Sequence, residues 1–424
     1  MILLAAASFP AAARALTLEE AVAKALERNE VARAADEDAK AASATAKRAR
    51  AFLLPTITAT GEYRLSGSKG ESPFLDGSDR RTATARVEQT LFDARAWPLL
   101  RQAVKGSDAV RWGAADTKRR LAFQTAESFL AALSADEVAR AAAERMDFAN
   151  RNLSEVKLRF EGGLVGSNDV TRAELEAATA EREVVRASGA AQNSILFLAN
   201  LLHEEVTDSL ALPDSLLSRA ARPVAPGSLD VEAAGKRRPD LVAERARVAS
   251  LRAGAWEPLF RYLPRISAFG TTRAIDGTRP SGSDGDWSVG LSGTWDIFDG
   301  GNRESERAAR AATARSASLG LQNLERRVAL DVESARVTLE SEQASVVRAF
   351  VAVEAARRNA TETNELYRRG LARALEVTDA NVQLFEAEVE RARAQFSLAL
   401  AYLNLRSALG WGPLDLPSDA ETSR

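Results

Sequence analysis

The side chains able to do chemistry are few and widely spaced. Glu376 and Asp379 stand three residues apart, which on a helix sets two carboxylates on one face, and spacing alone describes a solvated surface. His203, the single histidine, sits beside Glu204 and Glu205 and reads as an exposed helix-end residue. The absence of cysteine excludes disulfides, thiolate metal sites, cysteine nucleophiles and an N-terminal lipidated cysteine. One imidazole cannot build a multi-histidine metal centre, so no metal site is expected and no cofactor is implied. The phosphate-binding pattern GxxxxGK followed by Ser or Thr is missing, so no such loop powers work within this chain. Ser167, in GSNDVTRAE, fits a capping-box start of a helix rather than a nucleophile. No nucleophile, base and orienting residue can be grouped, and no catalytic residue is expected.

The elements that position these residues follow from composition and pattern. The 424 residues balance 57 Lys+Arg against 59 Asp+Glu, which excludes the basic footprint of a nucleic-acid binder. Abundant Ala, Arg and Glu with 6% aromatic residues is the composition of long helices and coiled coils. Residues 1–15 are apolar and end in the small-x-small triplet Ala13, Arg14, Ala15, as a secretory signal would, although Pro10 interrupts them and a buried N-terminal helix shares the composition. No later stretch approaches the 18 or so uninterrupted apolar residues of a membrane helix.

Proline is absent between Pro98 and Pro213 and again between Pro280 and Pro413, so each window can hold very long helices. In the second window Leu321, Leu324, Val328, Val332, Ala335 and Leu339 recur at steps of three and four, as do Val382, Phe385, Val389, Ala392, Phe396, Ala399 and Leu403. That period describes packed helical seams. One helix from Gly301 to Leu366 would run about 65 residues, on the order of 100 Å.

Away from the helical seams the period drops to two. Ile57, Ala59, Gly61, Tyr63 and Leu65 oppose Thr58, Thr60, Glu62 and Arg64, the pattern of a strand with one apolar face. Trp287, Val289, Leu291, Gly293, Trp295 and Ile297 oppose Ser288, Gly290, Ser292, Thr294 and Asp296 in the same way. On one strand Trp287 and Trp295 would stand about 26 Å apart, near the height of a membrane apolar band with its aromatic girdles. Weaker alternation at 82–91 and 265–274 completes two hairpins joined by Gly-, Ser-, Asp- and Pro-rich loops. Four strands cannot close a membrane barrel, so several chains must pool them, and three chains would supply twelve.

The chain also repeats itself. LLPTITATG at 53–61 answers YLPRISAFG at 262–270, TLFD at 90–93 answers DIFDGG at 296–301, and FEGGLVGSNDV at 160–170 answers YRRGLARALEV at 367–377. All three pairs share an offset of roughly 207 residues, the mark of a duplicated unit of helix, hairpin, long helix, tight turn and returning helix.

With LTLEEAVAKALERN near the start and RPDL at 238–241, these doubled motifs resemble the TolC-type outer-membrane efflux protein family over nearly the whole chain after Leu16. The resemblance implies a mainly α fold with a small β part. Long antiparallel helical hairpins would form a trimeric α-barrel in the periplasm, and four strands per chain would join a shared twelve-stranded barrel in the bacterial outer membrane. The division implied is a signal peptide at 1–15, a first repeat at 16–209, a linker and equatorial segment at 210–238, a second repeat at 239–412 and a tail at 413–424. A periplasmic adaptor, an inner-membrane pump and outer-membrane lipid are the implied partners, with no nucleic acid.

The resemblance also assigns residues. Gly163 with Leu164 and Gly370 with Leu371 match the Gly-apolar pairs of adaptor-docking tips; a plain αα-turn with each leucine tucked into its own seam is the other reading. Glu376 and Asp379 match inward-facing acids at the pore constriction, where threefold symmetry would gather six carboxylates. Asp169 and Tyr367 match contacts that close the mouth. A basic residue expected after the second tip is replaced by Ala372, with Arg373 one place later, which leaves the closing linkage open. The function implied is a passive exit channel of a tripartite efflux or type I secretion system, gated at its tips. An exported or cytosolic coiled-coil scaffold would explain the helices, but not the doubled hairpins or the paired Trp.

Overall fold

The computed structural model describes residues 15–65, 79–207, 209–211, 214–224, 231–276 and 285–414. The expected export segment lies outside this range except for Ala15, as do most of both strand connections and the tail beyond Leu414. In chain order the first elements are β1 (Leu16–Thr17), α1 (Leu18–Arg28), α2 (Glu30–Ala51), β2 (Thr56–Leu65), β3 (Asp79–Phe92), α3 (Ala96–Glu161), α4 (Ser167–Leu202) and β4 (Leu210–Ala211). There follow α5 (Asp214–Ala220), α6 (Val231–Arg237), α7 (Pro239–Gly254), α8 (Glu257–Phe260), β5 (Arg265–Asp276), β6 (Gly285–Thr294), α9 (Asn302–Arg368) and α10 (Ala374–Ala408). The proline-free windows thus hold helices of 66 and 67 residues, α3 and α9, with Pro98 tolerated in the first turn of α3.

The described chain forms two compact units, each drawing segments from both sequence repeats. The strand-bearing unit spans 37–113 and 240–324. Its four strands make one antiparallel sheet in the order β2-β3-β5-β6, so β2 and β6 are edges. Register places Ile57, Val87, Gly270 and Val289 in one row, and Thr58, Arg86, Thr271 and Ser288 in the next. Because successive residues face opposite ways, one face is apolar and bare: Ile57, Val289 and Leu291 are 79%, 77% and 71% exposed. The opposite face carries the ion pairs Arg64–Glu62 and Arg86–Glu88, and Arg86 lies 5.3 Å over the Phe269 ring. Gly290 leaves room for that ring, since a methyl group there would lie 3.0 Å from it.

One expectation is corrected here. β6 ends at Thr294, so Trp295 lies one residue past the strand that carries Trp287 rather than within it. The ladder stops where its partner β5 begins, at Arg265 after Pro264, which has no N–H to donate; the Trp295 indole N–H donates to the Tyr262 carbonyl at 3.1 Å, and Gly300 and Gly301 then turn the chain toward α9 with φ of +72° and +82°.

The described residues of the helical unit fall within 15–36, 114–239 and 325–414. Its main core joins Leu18, Val22 and Ala25 of α1 to Ala126 and Phe129 of α3, Leu198 and Leu202 of α4, and Leu403 of α10. α1 begins with a capping box, in which Glu20 N–H donates to Thr17 Oγ1 at 3.2 Å and Thr17 N–H to Glu20 Oε2 at 3.4 Å. β1 and β4 pair in parallel, Leu16 against Leu210, beside this core. The α9 seam buries Val328, Val332 and Leu339, and the α10 seam buries Val389, Ala392, Ala399 and Leu403, with alanines letting the helices approach closely. In the RPDL segment Arg238 is buried and pairs with Asp331 at 3.0 Å. His203 closes α4 in the left-handed conformation, φ 54°, and its Nε2 lies 2.6 Å from Glu30.

Candidate functional site: the paired hairpin tips

The two tips are built alike. After α3, Gly163 takes φ +72°; its N–H donates to the Phe160 carbonyl at 2.9 Å and that of Leu164 to Arg159 at 2.8 Å. After α9, Gly370 takes φ +75°; its N–H donates to Tyr367 at 2.9 Å and that of Leu371 to Leu366 at 2.9 Å. This is the Schellman closure, whose left-handed position glycine occupies without strain. The residue after such a glycine often folds onto its helix, but Leu164 and Leu371 stay 78% and 73% exposed. Two apolar side chains therefore project from equivalent turns, and neither is tucked into a seam.

Each returning helix is capped by an acid. The Gly166 N–H donates to Asp169 Oδ2 at 3.2 Å and the Arg373 N–H to Glu376 Oε2 at 3.2 Å. Gly166 and not Ser167 is the capping position of α4, a correction to the serine-led cap, and Ser167 is the first helical residue. Asp169 and Glu376 are thus equivalent members of the duplication, each neutralising free N–H groups and the positive helix end. Asp379 lies one turn beyond Glu376, and both are exposed on a single chain.

Tyr367 joins the tips. Its side chain is buried with Ala374 and Val377 against Phe148 and Ala372. The Arg159 guanidinium lies 4.3 Å over its ring, donates to its carbonyl at 3.3 Å and pairs with Glu155 at 2.6 Å. The Tyr367 hydroxyl is buried with no hydrogen-bond partner among the described residues. Burial pushes its pKa up; Arg159 opposes this, while the charges of Glu155 and Asp169 reinforce it. A cavity of about 140 Å3 between the tips is lined by Asn152, Asp169, Arg172, Glu176, Ala374 and Thr378. The structure brings Asp169 and Tyr367 into one neighbourhood, whereas Arg373 is exposed and caps α10 through its backbone. Arg159 escaped the sequence reading because its repeat counterpart is Leu366; that asymmetry was the available signal.

At the sheet, Trp287 is 78% exposed in β6, on the apolar face. Trp295 is 61% exposed just past the end of β6, and the exposed Trp97 and Trp256 line one cavity with the first turns of α3 and the end of α7. No helix in the described residues is long and apolar enough to cross a membrane.

An apolar sheet face left bare and helical hairpins with exposed leucine tips define a channel-type outer-membrane protein. The model of the outer membrane efflux protein family matches residues 21–203 and 231–411. The chain belongs to that family: it is a transport protein of the outer membrane reaching into the periplasm, an efflux channel and not an enzyme. It is 24% identical to the outer membrane protein TolC of Vibrio cholerae, over 85% of this chain and 83% of that protein. It is also 24% identical to the Escherichia coli protein of that name, over 89% and 78%. Among solved structures it matches CusC with TM-score 0.82 at 16% identity, covering 93% of this chain and 92% of that one. The open state of the Neisseria gonorrhoeae channel MtrE matches with TM-score 0.76 at 20% identity, covering 93% and 89%.

Proposed function

We propose that three copies of this chain form a passive exit duct, recruited by a periplasmic adaptor and an inner-membrane pump and gated at the paired tips, in tripartite efflux or type I secretion. The observation that carries this is the four-stranded sheet with both edges unpaired and one apolar face bare. Unpaired strand edges are not tolerated in lipid, so the sheet needs neighbours, and three copies give twelve strands. The polar face, with Arg86, Glu88 and Thr84, suits a water-filled lumen. Exposed Leu164 and Leu371 offer an adaptor two sets of three apolar points around a threefold axis.

Gating would follow from movement of the tips about Gly163 and Gly370, resisted by the buried Tyr367–Arg159 contact. Glu376 and Asp379 would ring the mouth, where six crowded carboxylates favour cations. With no phosphate-binding loop in the sequence, energy comes from the pump. The test is Glu376→Gln with Asp379→Asn in planar bilayers: cation selectivity and block by multivalent cations should both fall. Unchanged selectivity would remove the acids from the pore.

A further inference from the structure

The strand-bearing unit holds a cavity of about 690 Å3 beside the helices that meet the strand ends. Trp97, Arg101 and Lys105 of α3 line it, with Arg245 and Arg252 of α7 and Trp256 just beyond that helix. No acidic side chain is among its lining residues. The order of these residues is the same on both sides. α3 leaves the sheet showing Trp97 and then, four residues and about 6 Å later, Arg101. α7 approaches the sheet showing Arg252 and, four residues later, Trp256. Aromatic rings stand nearer the strands and cations one turn farther away.

The cations proposed to hold the headgroup are Arg101 and Arg252. Arg252 donates to Ser318 Oγ at 2.9 Å, and among the described residues neither Arg252 nor Arg101 pairs with a carboxylate. Lys105 pairs with Asp108 at 3.4 Å. Trp97 and Trp256 are 62% and 57% exposed.

The sheet fixes the side on which the groove opens. A β-bulge between Thr90 and Phe92 brings Phe92 opposite Ile266, which shares the face of Gly270, Val87 and Ile57. Trp97 packs edge-on against Phe92, with ring centres 6.2 Å apart at 70°. The groove therefore continues the apolar face.

We propose that this groove binds an anionic phospholipid of the periplasmic leaflet, its phosphate between Arg101 and Arg252 and its acyl chains against Trp97 and Trp256. The inference rests on the reading that the apolar sheet face meets lipid. Basic pockets beside an aromatic belt suit an anionic headgroup carrying chains, whereas a free phosphate has no use for the apolar wall. A neighbouring copy seated on the groove would instead exclude lipid.

The test titrates full-length protein, extracted from outer membranes, with phosphatidylglycerol or phosphatidylethanolamine and counts retained lipids by native mass spectrometry. Phosphatidylglycerol should be retained preferentially. Arg101→Gln with Arg252→Gln should weaken that retention about thirty-fold, roughly fivefold per cation removed, and weaken phosphatidylethanolamine, whose ammonium offsets its phosphate, by less. Arg326→Gln with Arg327→Gln, which removes the same charge outside the groove lining, should have no effect. Equal retention of the two lipids by the wild type, or of phosphatidylglycerol by both double variants, overturns the site. Should the glutamine variant fail to reach the outer membrane, Arg101→Lys with Arg252→Lys keeps the charge and should keep the preference, and the wild-type comparison decides. A wild-type chain absent from outer membranes fails differently, because the membrane reading falls first.

Discussion

Replacing Gly163 or Gly370 with alanine isolates the energetics of the tip turn. Both glycines hold left-handed backbone, φ +72° and +75°, and a methyl group at either would meet nothing within 4 Å. The penalty is therefore backbone strain alone, about 1–2 kcal/mol at each position. Gly410, at φ +78°, is the built-in comparison: a methyl there would sit 2.9 Å from the Arg238 backbone nitrogen and adds a clash to the same strain. The tip strain falls on the bonds from Leu164 N–H to Arg159 and from Leu371 N–H to Leu366. Hydrogen exchange at those two amides should accelerate about five- to thirtyfold, while amides of the buried α1–α3–α4 core stay unchanged. Peptide-level exchange by mass spectrometry reads this directly. Unaltered exchange at both tips, or a milder effect from Gly410→Ala than from Gly370→Ala, would refute the reasoning.

Two further outcomes follow from the tips. The Tyr367 hydroxyl has a raised pKa because it is buried, so its contribution to tip stability is complete below the ordinary tyrosine value near 10 and is lost as pH rises through the higher folded value. Channel conductance in bilayers should accordingly rise only at strongly alkaline pH, and Tyr367→Phe, which cannot ionise, should abolish that rise. Leu164→Ser with Leu371→Ser should leave conductance intact but weaken adaptor binding by about 1.5–3 kcal/mol for each leucine that docking buries, measurable by surface plasmon resonance. Unchanged affinity would take the tips out of the docking surface.

Much of this architecture is legible in the sequence because it rests on local rules. The proline-free windows contain the helical pairs α3 with α4 and α9 with α10, the glycine turns divide each pair, and period-two alternation finds all four strands. The doubled GGL and RGL turns are readable because only glycine accepts the left-handed turn readily. What local pattern misses is set by tertiary contact. Trp295 continues the alternation of β6, yet its partner strand begins only at Arg265, after Pro264, and the ladder stops at Thr294. Arg159 has no motif, and its stacking on Tyr367 exists only once two hairpins distant in sequence meet. The Asp169 and Glu376 caps were visible as acids three residues into a helix, but glycine at position 166 hid the first behind a more familiar serine.

The central claim is that three chains pool their strands. Light scattering with refractive-index correction on protein extracted from outer membranes gives the protein mass of the assembly without its detergent. The account predicts close to three times the mass of the single chain, 45.5 kDa for these 424 residues, in a species that falls to single chains only on heating. A monomer or dimer, or a chain recovered in the soluble fraction, would contradict it.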